Sequence, residues 1–263
     1  LRLVPDPPGV IKNGSILLDG KDILNMPQKE LEAIRGNIVS MIFQDPMASL
    51  NERAKVDYIV SEGLLNFHMY KDEADREAKV QKALREVGLL PEFASRFPHE
   101  FSGGQRQRIG IARALIMNPD LVIADEAISA LDVSIQAQIL NLMMELQKER
   151  NLTYLFITHN LSVVKHISDD IAVMYLGQLV ELAETEELFD APCHPYTEGL
   201  LAAVPIPDPA LRKERKSTLL QGDLPSPANP PSGCRFHTRC SRCKEICGQQ
   251  VPEWREVRPG HFV

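Results

Sequence analysis

Two adjacent carboxylates stand at the end of a short apolar segment. Residues 121–124 are typical of a buried strand, and Asp125 and Glu126 follow them directly. One carboxylate at a strand end can hold Mg²⁺, usually through water, while its neighbour orients or polarises an attacking water. A single Asp-Glu pair is more commonly part of a solvated turn, so the chemistry depends on what else reaches the same edge.

The most specific segment of the chain is residues 101–108, FSGGQRQR. Paired glycines allow backbone to approach a ligand closely, and a helix predicted to start near Gln105 would offer its N-terminal N–H groups to an anion. The alternative is an ordinary helix N-cap at Ser102 after a glycine turn. Alone, the segment does not decide between the two.

Gln44 and His159 follow two further predicted strands, over residues 38–43 and 153–158. In parallel α/β sheets, ligands bind at the carboxyl ends of the strands. We therefore expect Gln44, Asp125 and His159 at a common edge. A lone histidine at a strand end is more often a surface residue; here the order and spacing of the other segments favour a role in the site.

The surrounding pattern predicts an α/β fold, a parallel sheet with a helical insertion. The other predicted elements are a hairpin turning at residues 19–20, a helix over 27–35, the insertion over 56–118, a helix over 133–150 and two short strands over 171–183 about Gly177. Within the insertion, Val80, Leu84 and Val87 are predicted to form one apolar helix face, and Gly88 to end that helix. Eleven of the 19 prolines lie in the last 72 residues, too many for helices or central strands. We therefore predict one domain over residues 1–190 and a loop-rich C-terminal extension over 191–263.

Bulk composition limits the possible partners. The net charge of −7 argues against nucleic acid, because phosphate binding normally needs a basic face. No apolar run approaches the roughly 20 residues of a membrane span, so a membrane role would run through a partner. The chain shows no signal-peptide pattern and begins at Leu1 rather than Met, which suggests a fragment.

Together, these motifs closely resemble the nucleotide-binding subunits of ABC transporters. The matching motifs are Gln44 in the Q-loop, residues 102–105 as the signature, Asp125-Glu126 as Walker B, Asp132 in the D-loop and His159 in the switch. Residues 42–46, 129–136, 194–197 and 233–237 look like the oligopeptide/dipeptide permease family of importers. The resemblance implies a RecA-like P-loop NTPase core, the ABC cassette, with a helical signature subdomain over about residues 56–118.

The resemblance also implies roles for these residues. Glu126 would be the catalytic carboxylate, and His159 would contact the γ-phosphate. Asp125 and Gln44 would reach Mg²⁺ and its water. The further nucleotide-binding residues would be Ser102, Gly103, Gly104 and Gln105, facing the γ-phosphate of ATP held by the opposing subunit, and Asp132.

The partners implied by the resemblance form a membrane complex. They are a second ABC ATPase subunit, usually a paralogue, two transmembrane permease subunits and, indirectly, an extracytoplasmic substrate-binding protein. The chain would lie on the cytoplasmic face of the cell membrane. Its function would be ATP hydrolysis driving import of oligopeptides, dipeptides or a related solute such as nickel. A soluble ABC ATPase of DNA repair or translation is the rival, but the chain has no room for long coiled coils or tandem cassettes.

The phosphate-binding loop is the serious departure from the family. No G-x-x-x-x-G-K-[ST] pattern occurs in the 263 residues, and Gly20-Lys21 is followed by Asp22 without the preceding glycine. In the family this loop precedes the segment present here, so we expect that it was lost with a missing N-terminus. The alternative is a catalytically incompetent subunit that lends its signature to a partner's ATP site.

Four of the five cysteines lie within 14 residues: Cys234, Cys240, Cys243 and Cys247. The spacings between the last three cysteines resemble part of a bacterial ferredoxin run, although the first gap is longer. Some members of the resembled family carry a [4Fe–4S] cluster in this extension. Zinc usually uses two knuckles separated by a longer loop. Cluster, zinc and free thiols therefore stay open, with His237 able to replace one ligand. Cys193 stands apart and is interpreted as an ordinary thiol.

Overall fold

The computed structural model describes residues 1–4, 7–204 and 222–263. They form two compact units, Leu1–His159 and Asn160–Val263. No helix in these described ranges combines the length and the apolar composition that crossing a membrane would require. The boundary predicted near residue 190 concerns the change to proline-rich composition and stays a prediction. Residues 205–221 of the predicted extension lie outside the described ranges.

The first unit opens with the predicted hairpin. Strands β1 (Leu17–Leu18) and β2 (Lys21–Asp22) pair antiparallel. Asp19 and Gly20 between them both have positive φ, 48° and 75°, as the favoured two-residue hairpin turn requires. Helix α1 (Gln28–Ile34) follows, with Pro27 as its N-cap residue.

Three parallel strands form the sheet of the first unit. They are β3 (Val39–Ile42), β4 (Leu121–Asp125) and β5 (Thr153–Ile157), in the order β3-β4-β5. Val122 and Ala124 of the central strand are fully buried. The register aligns Ile42 with Ala124 and Asp125 with Ile157, so the three strands end at the same edge.

Five further α-helices of this unit follow α1 along the chain. They are α2 (Pro46–Ser49), α3 (Val56–Phe67), α4 (Glu73–Glu86), α5 (Gly103–Leu115) and α6 (Val133–Arg150). The helical region predicted over residues 56–118 is therefore three α-helices with two short 3₁₀ turns before α5. Helix α5 begins two residues before the predicted start at Gln105, and α6 has the predicted bounds.

The face of α4 predicted to be apolar is buried. Val80, Leu84 and Val87 are each at most 1% exposed, and Gly88 ends the helix with a φ of 71°. Arg108 of α5 donates to the carbonyl of Val87, which joins the end of α4 to α5. This packing fixes the position of α5, whose N-terminus carries the glycine pair.

The second unit contains a four-stranded antiparallel sheet. Its elements are α7 (Leu161–Ile167), β6 (Asp170–Tyr175), β7 (Gln178–Glu184), α8 (Thr185–Asp190), α9 (Pro195–Ala202), β8 (Glu256–Arg258) and β9 (His261–Phe262). The sheet order is β6-β7-β9-β8. The two strands predicted about Gly177 are confirmed as β6 and β7. Helix α9 and strands β8 and β9 give the predicted extension more regular structure than its proline content indicated.

Candidate active site

Glu126 is contacted from the ends of both neighbouring strands. Gln44, two residues beyond β3, donates from Nε2 to Oε2 of Glu126 at 2.6 Å. His159, two residues beyond β5, places Nδ1 3.2 Å from Oε1 of the same carboxylate. The convergence expected at this edge is present, with Glu126 rather than Asp125 receiving both side chains.

The backbone of Glu126 holds its side chain at this position. Its φ is 45°, a left-handed conformation that costs a non-glycine residue about 1–3 kcal/mol and persists only when the surroundings enforce it. Its N–H donates to the carbonyl of Ile157 at 2.9 Å, and its carbonyl accepts from both the N–H and the hydroxyl of Ser129. These bonds tie the turn to β5.

Gln136 braces the loop between Glu126 and α6, a role that the sequence pattern did not reveal. Its Nε2 donates to the carbonyls of Ile128 and Leu131, both at 3.0 Å. Gln136 lies inside the stretch that carried the family resemblance, but nothing in its local pattern indicated a contact back to the loop.

Each oxygen of the Glu126 carboxylate is contacted by one side chain, Oε2 by the amide of Gln44 and Oε1 by the imidazole of His159. For Nδ1 of His159 to donate to Glu126, that nitrogen must carry the proton, which leaves Nε2 directed elsewhere. The His159 side chain is 73% exposed and therefore accessible to a ligand. Asp125 is the last residue of β4. Carboxylate and amide oxygens such as those of Asp125 and Gln44 fit the donors that Mg²⁺ prefers.

Ser102 begins α5 with a reciprocal pair of hydrogen bonds. Its hydroxyl accepts from the N–H of Gln105 at 3.4 Å, and Oε1 of Gln105 accepts from the N–H of Ser102 at 3.0 Å. This is a capping box, so Ser102 is the N-cap residue of α5, which was the alternative considered from the sequence. An exposed helix N-terminus remains suited to an anion, because its first N–H groups have no partners within the helix.

The two glycines of the segment have different neighbours. A Cβ on Gly103 would lie 3.6 Å from Leu131 Cδ2, an ordinary contact, whereas one on Gly104 would lie 2.6 Å from Cγ2 of Ile135. Gly104 therefore lets α5 approach α6, a packing reason that the sequence did not reveal. Asp132, the N-cap of α6, is exposed and makes no side-chain cap.

An open cavity of about 520 Å³ lies beside the same sheet in the first unit. Its lining residues come from α1, β3, α3 and α5 and include Met41, Gly63, Asn66, Arg113 and Met117. Arg113 donates to the carbonyl of Ser49 at 2.6 Å, and desolvation by burial lowers the pKa of its guanidinium. We call this cavity the α3–α5 groove.

The four C-terminal cysteines lie in one loop region closed by backbone bonding. The N–H of Cys234 donates to the carbonyl of Cys247 at 2.8 Å. Sulfur atoms accept backbone N–H groups: Cys240 from Arg242 and Cys247 from Lys244, both at 3.4 Å. Desolvation raises the pKa of Cys243, and the neighbouring Cys247 and Cys240 raise it further.

No three of these four thiols have sulfur atoms that all lie within 4.8 Å of one another. Among the described residues, the ligand atoms that lie within 4.8 Å of one another in a group of three belong to Glu181, Cys193 and His261. Cys193, interpreted from the sequence as an ordinary thiol, thus lies beside two residues of metal-binding types, Glu181 and His261. The other four cysteines do not form such a group.

Two family models match the chain. The model for ABC transporters matches residues 6–129, and the model for the C-terminal region of oligopeptide/dipeptide transporters matches residues 180–247. The oligopeptide transport ATP-binding protein AppF of Bacillus subtilis (strain 168) is 57% identical over 251 residues, covering 95% of this chain and 76% of AppF. AmiF of Streptococcus pneumoniae serotype 4, which has the same description, is also 57% identical over 251 residues, covering 95% and 75%.

Solved structures share the fold. The ATP-binding cassette MJ0796, in a dimeric post-hydrolysis state with ADP and Pi, has a TM-score of 0.59 and 26% identity, covering 66% of this chain and 74% of that one. CbiO1 of Clostridium perfringens, part of an ABC transporter complex, has a TM-score of 0.60 and 31% identity, covering 68% and 69%.

The fold is that of an ABC cassette, an ATPase that uses ATP and Mg²⁺, as the motifs predicted. Within that class, the chain belongs to the family of oligopeptide transport ATP-binding proteins. This assignment decides against the repair and translation ATPases considered from the sequence.

Proposed function

We propose that this chain hydrolyses ATP to energise the import of oligopeptides or dipeptides through membrane permease subunits at the cytoplasmic face. The observation that carries the proposal is the 57% identity to two oligopeptide transport ATP-binding proteins across 95% of the chain. The C-terminal match to oligopeptide/dipeptide transporters supports the same class of solute. A paralogous second ATPase subunit and an extracytoplasmic binding protein complete the proposed assembly.

In this proposal Glu126 is the catalytic carboxylate. Its strained backbone and its contacts with Gln44 and His159 hold the carboxylate at the edge where Mg²⁺ would be bound through Asp125 and Gln44. Mg²⁺ supplies charge neutralisation on the phosphates. Glu126 would orient the attacking water, and His159, with its exposed ring, would contact the γ-phosphate.

The phosphate cradle would come from polypeptide outside these 263 residues. Leu155 and Ile157 of β5 are 52% and 44% exposed, although strands of parallel sheets are normally covered on both faces. Within the described residues β5 pairs only with β4, so one of its edges can accept a further strand. A strand leading into a G-x-x-x-x-G-K-[ST] loop at this edge would supply the backbone N–H groups and lysine that the site needs.

Glu126→Gln in the natural full-length subunit should slow ATP turnover at least about a hundredfold, because the amide cannot polarise water. ATP binding should change little, since glutamine keeps the size of the side chain and an oxygen that accepts from Gln44. We would measure hydrolysis and binding in the assembled transporter, with the two ATP sites resolved separately. Glu149→Gln, an exposed change on α6, is the matched control.

Equal turnover in Glu126→Gln and parent would reject Glu126 as the catalytic group. It would also favour the alternative function, a catalytically incompetent subunit, for which the absence of a phosphate-loop pattern in the sequence is the motivating observation. Peptide uptake into vesicles containing the transporter separates the two: in the proposed function, inactivating this site slows uptake.

We also infer that residues 102–105 face ATP bound to the partner ATPase. Gly103→Asp tests this without disturbing the fold, because Gly103 is exposed at the first position of α5, where aspartate favours a helix and no clash arises. Gly103→Asn is the uncharged match. The aspartate should weaken ATP-driven association of the two ATPase subunits at least about tenfold relative to asparagine, because it repels the incoming phosphate.

Association measured by analytical ultracentrifugation should therefore rank the parent and Gly103→Asn above Gly103→Asp. Equal association of the aspartate and asparagine variants would contradict the assignment. Gly104 is unsuitable for this test, since any side chain there meets Ile135 within the same subunit.

The α3–α5 groove is the proposed docking surface for a permease subunit. It combines apolar surface from the half-buried Met41 with a desolvated cation, Arg113, and arginine is enriched in protein interfaces. Met41 and Gln44 are three residues apart, so the strand that lines the groove leads directly to the residue that contacts Glu126.

Asn66→Trp should obstruct this groove and reduce recovery of the permease subunits with the tagged ATPase at least about tenfold. Asn66 is exposed on α3, so the larger side chain can be accommodated by the isolated subunit. Asn141→Trp, on the exposed face of α6, controls for the added aromatic group. Undiminished recovery with Asn66→Trp would place the permease contact elsewhere.

For the cysteine loop we propose a [4Fe–4S] cluster bound by Cys234, Cys240, Cys243 and Cys247. The N–H groups directed at Cys240 and Cys247 support it, because such bonds stabilise the thiolate sulfurs of clusters. The extension has little apolar content, and a metal centre would tie it together.

Anaerobically purified protein should be brown and contain about four irons per chain. Cys240→Ser should remove the colour and raise protease sensitivity beyond about residue 190, with the ATPase core intact. One zinc and no iron in anaerobic preparations would instead assign a zinc site, and neither metal would assign free thiols.

A further inference from the structure

Glu181, Cys193 and His261 meet inside the second unit from three separate segments. Glu181 lies on β7, Cys193 between α8 and α9, and His261 on β9. Glu181 and His261 are fully buried, and Cys193 is half-buried. Their carboxylate oxygen, thiol sulfur and ring nitrogen all lie within 4.8 Å of one another, and Nε2 of His261 is 2.7 Å from Oε1 of Glu181.

Other contacts hold these groups in orientations suited to ligation. The carboxylate of Glu181 accepts from the N–H of Cys193 at 2.6 Å and from the N–H of His194 at 3.2 Å. Nδ1 of His261 lies 3.3 Å from Glu187, which also accepts from Arg258 at 2.6 Å. A carboxylate on the far ring nitrogen is the arrangement that orients histidine ligands in metal proteins, with Nε2 left to face the metal.

We propose that Glu181, Cys193 and His261 form a binding site for a divalent transition metal ion of the Zn²⁺ class, with water in the fourth position. Mixed oxygen, sulfur and nitrogen donors suit such an ion better than Mg²⁺ or Ca²⁺. One carboxylate and one thiolate balance the two charges of the ion, so the buried site carries no net charge. With ligand distances near 2.1 Å, Oε1 and Nε2 would separate by roughly 0.7 Å from their present contact.

The competing interpretation is a buried Glu181–His261 ion pair without metal. That pair accounts for the carboxylate and the ring, but it gives the thiol of Cys193 only a weak partner, the carbonyl of Ala191 at 3.6 Å. The metal site uses all three groups.

A route for a cation lies beside the site. An open cavity of about 650 Å³ is lined by four carboxylate residues, among them the Glu187 that contacts His261, and by one cation, Arg258. Clefts lined by one sign of charge raise the local concentration of oppositely charged ions. A metal would in turn strengthen the attachment of β9, which is only two residues long and pairs with β7 through Leu182 and Phe262.

Titration of the full-length protein with Co²⁺, a spectroscopic substitute for Zn²⁺, tests the site. The thiolates of the C-terminal cysteines can also take up Co²⁺, so the informative measurement is the difference between the parent and Cys193→Ser. We expect the parent to bind one more equivalent than Cys193→Ser, with an added thiolate-to-cobalt absorption that survives Cys240→Ser. Glu187→Gln should weaken this equivalent about 10- to 100-fold through loss of the contact to Nδ1. Glu186→Gln, a neighbouring exposed carboxylate without that contact, should not.

A second measurement needs no variant and does not depend on how the substituted proteins fold. Saturating Zn²⁺ should protect Cys193 of the parent from alkylation at least tenfold, as read by peptide mass spectrometry. Identical cobalt stoichiometry and absorption in parent and Cys193→Ser, or alkylation of Cys193 at an unchanged rate with Zn²⁺, would overturn the proposal and leave the ion pair.

Discussion

The parallel register of three strands is the constraint on which the candidate active site depends. Because Asp125 is aligned with Ile157 and Ala124 with Ile42, the residues just beyond the strands must share one edge. A slip of one residue would turn Val122 and Ala124 out of the core, so burial of these side chains fixes the register. The same burial that stabilises the sheet therefore places Gln44 and His159 against Glu126.

In the proposed function, the signature segment would serve both stability and phosphate recognition. In this structure the hydroxyl of Ser102 and the amide of Gln105 satisfy each other's backbone N–H groups. A cap of this kind contributes about 0.5–2 kcal/mol to stability. In the proposed function, a phosphate facing α5 would displace the cap or use the exposed N–H groups beside it. Gly104 is required by the packing of α5 against α6, because a Cβ there would lie 2.6 Å from Cγ2 of Ile135.

Features that depend on residues close together in the sequence could be predicted from local patterns. The turn at Asp19-Gly20, the bounds of α6 and the buried face of α4 follow from turn residues and apolar periodicity, and all three are confirmed. Interactions between residues far apart in the sequence could not be predicted in this way. The contact of Glu181 with His261 spans 80 residues, and the clash that makes Gly104 necessary involves a helix beyond the next strand. Helix α9, which begins at Pro195 after the N-cap His194, was not predicted because the surrounding segment is rich in proline.

In the proposed function, charge would prevent the strand-end residues from binding ATP by themselves. Asp125 and Glu126 would present carboxylates to a polyanion, on a chain whose net charge is −7. Mg²⁺ and a cradle of N–H groups and lysine would then have to provide the attraction. What this chain contributes is position: Glu126 is fixed through its backbone to β5 and through Gln44 to β3. Since β3 also lines the α3–α5 groove, a partner that moved this strand would shift the amide that holds the carboxylate. Turnover would then depend on the groove being filled, because the orientation of Glu126 would be set by the same strand on which the partner acts.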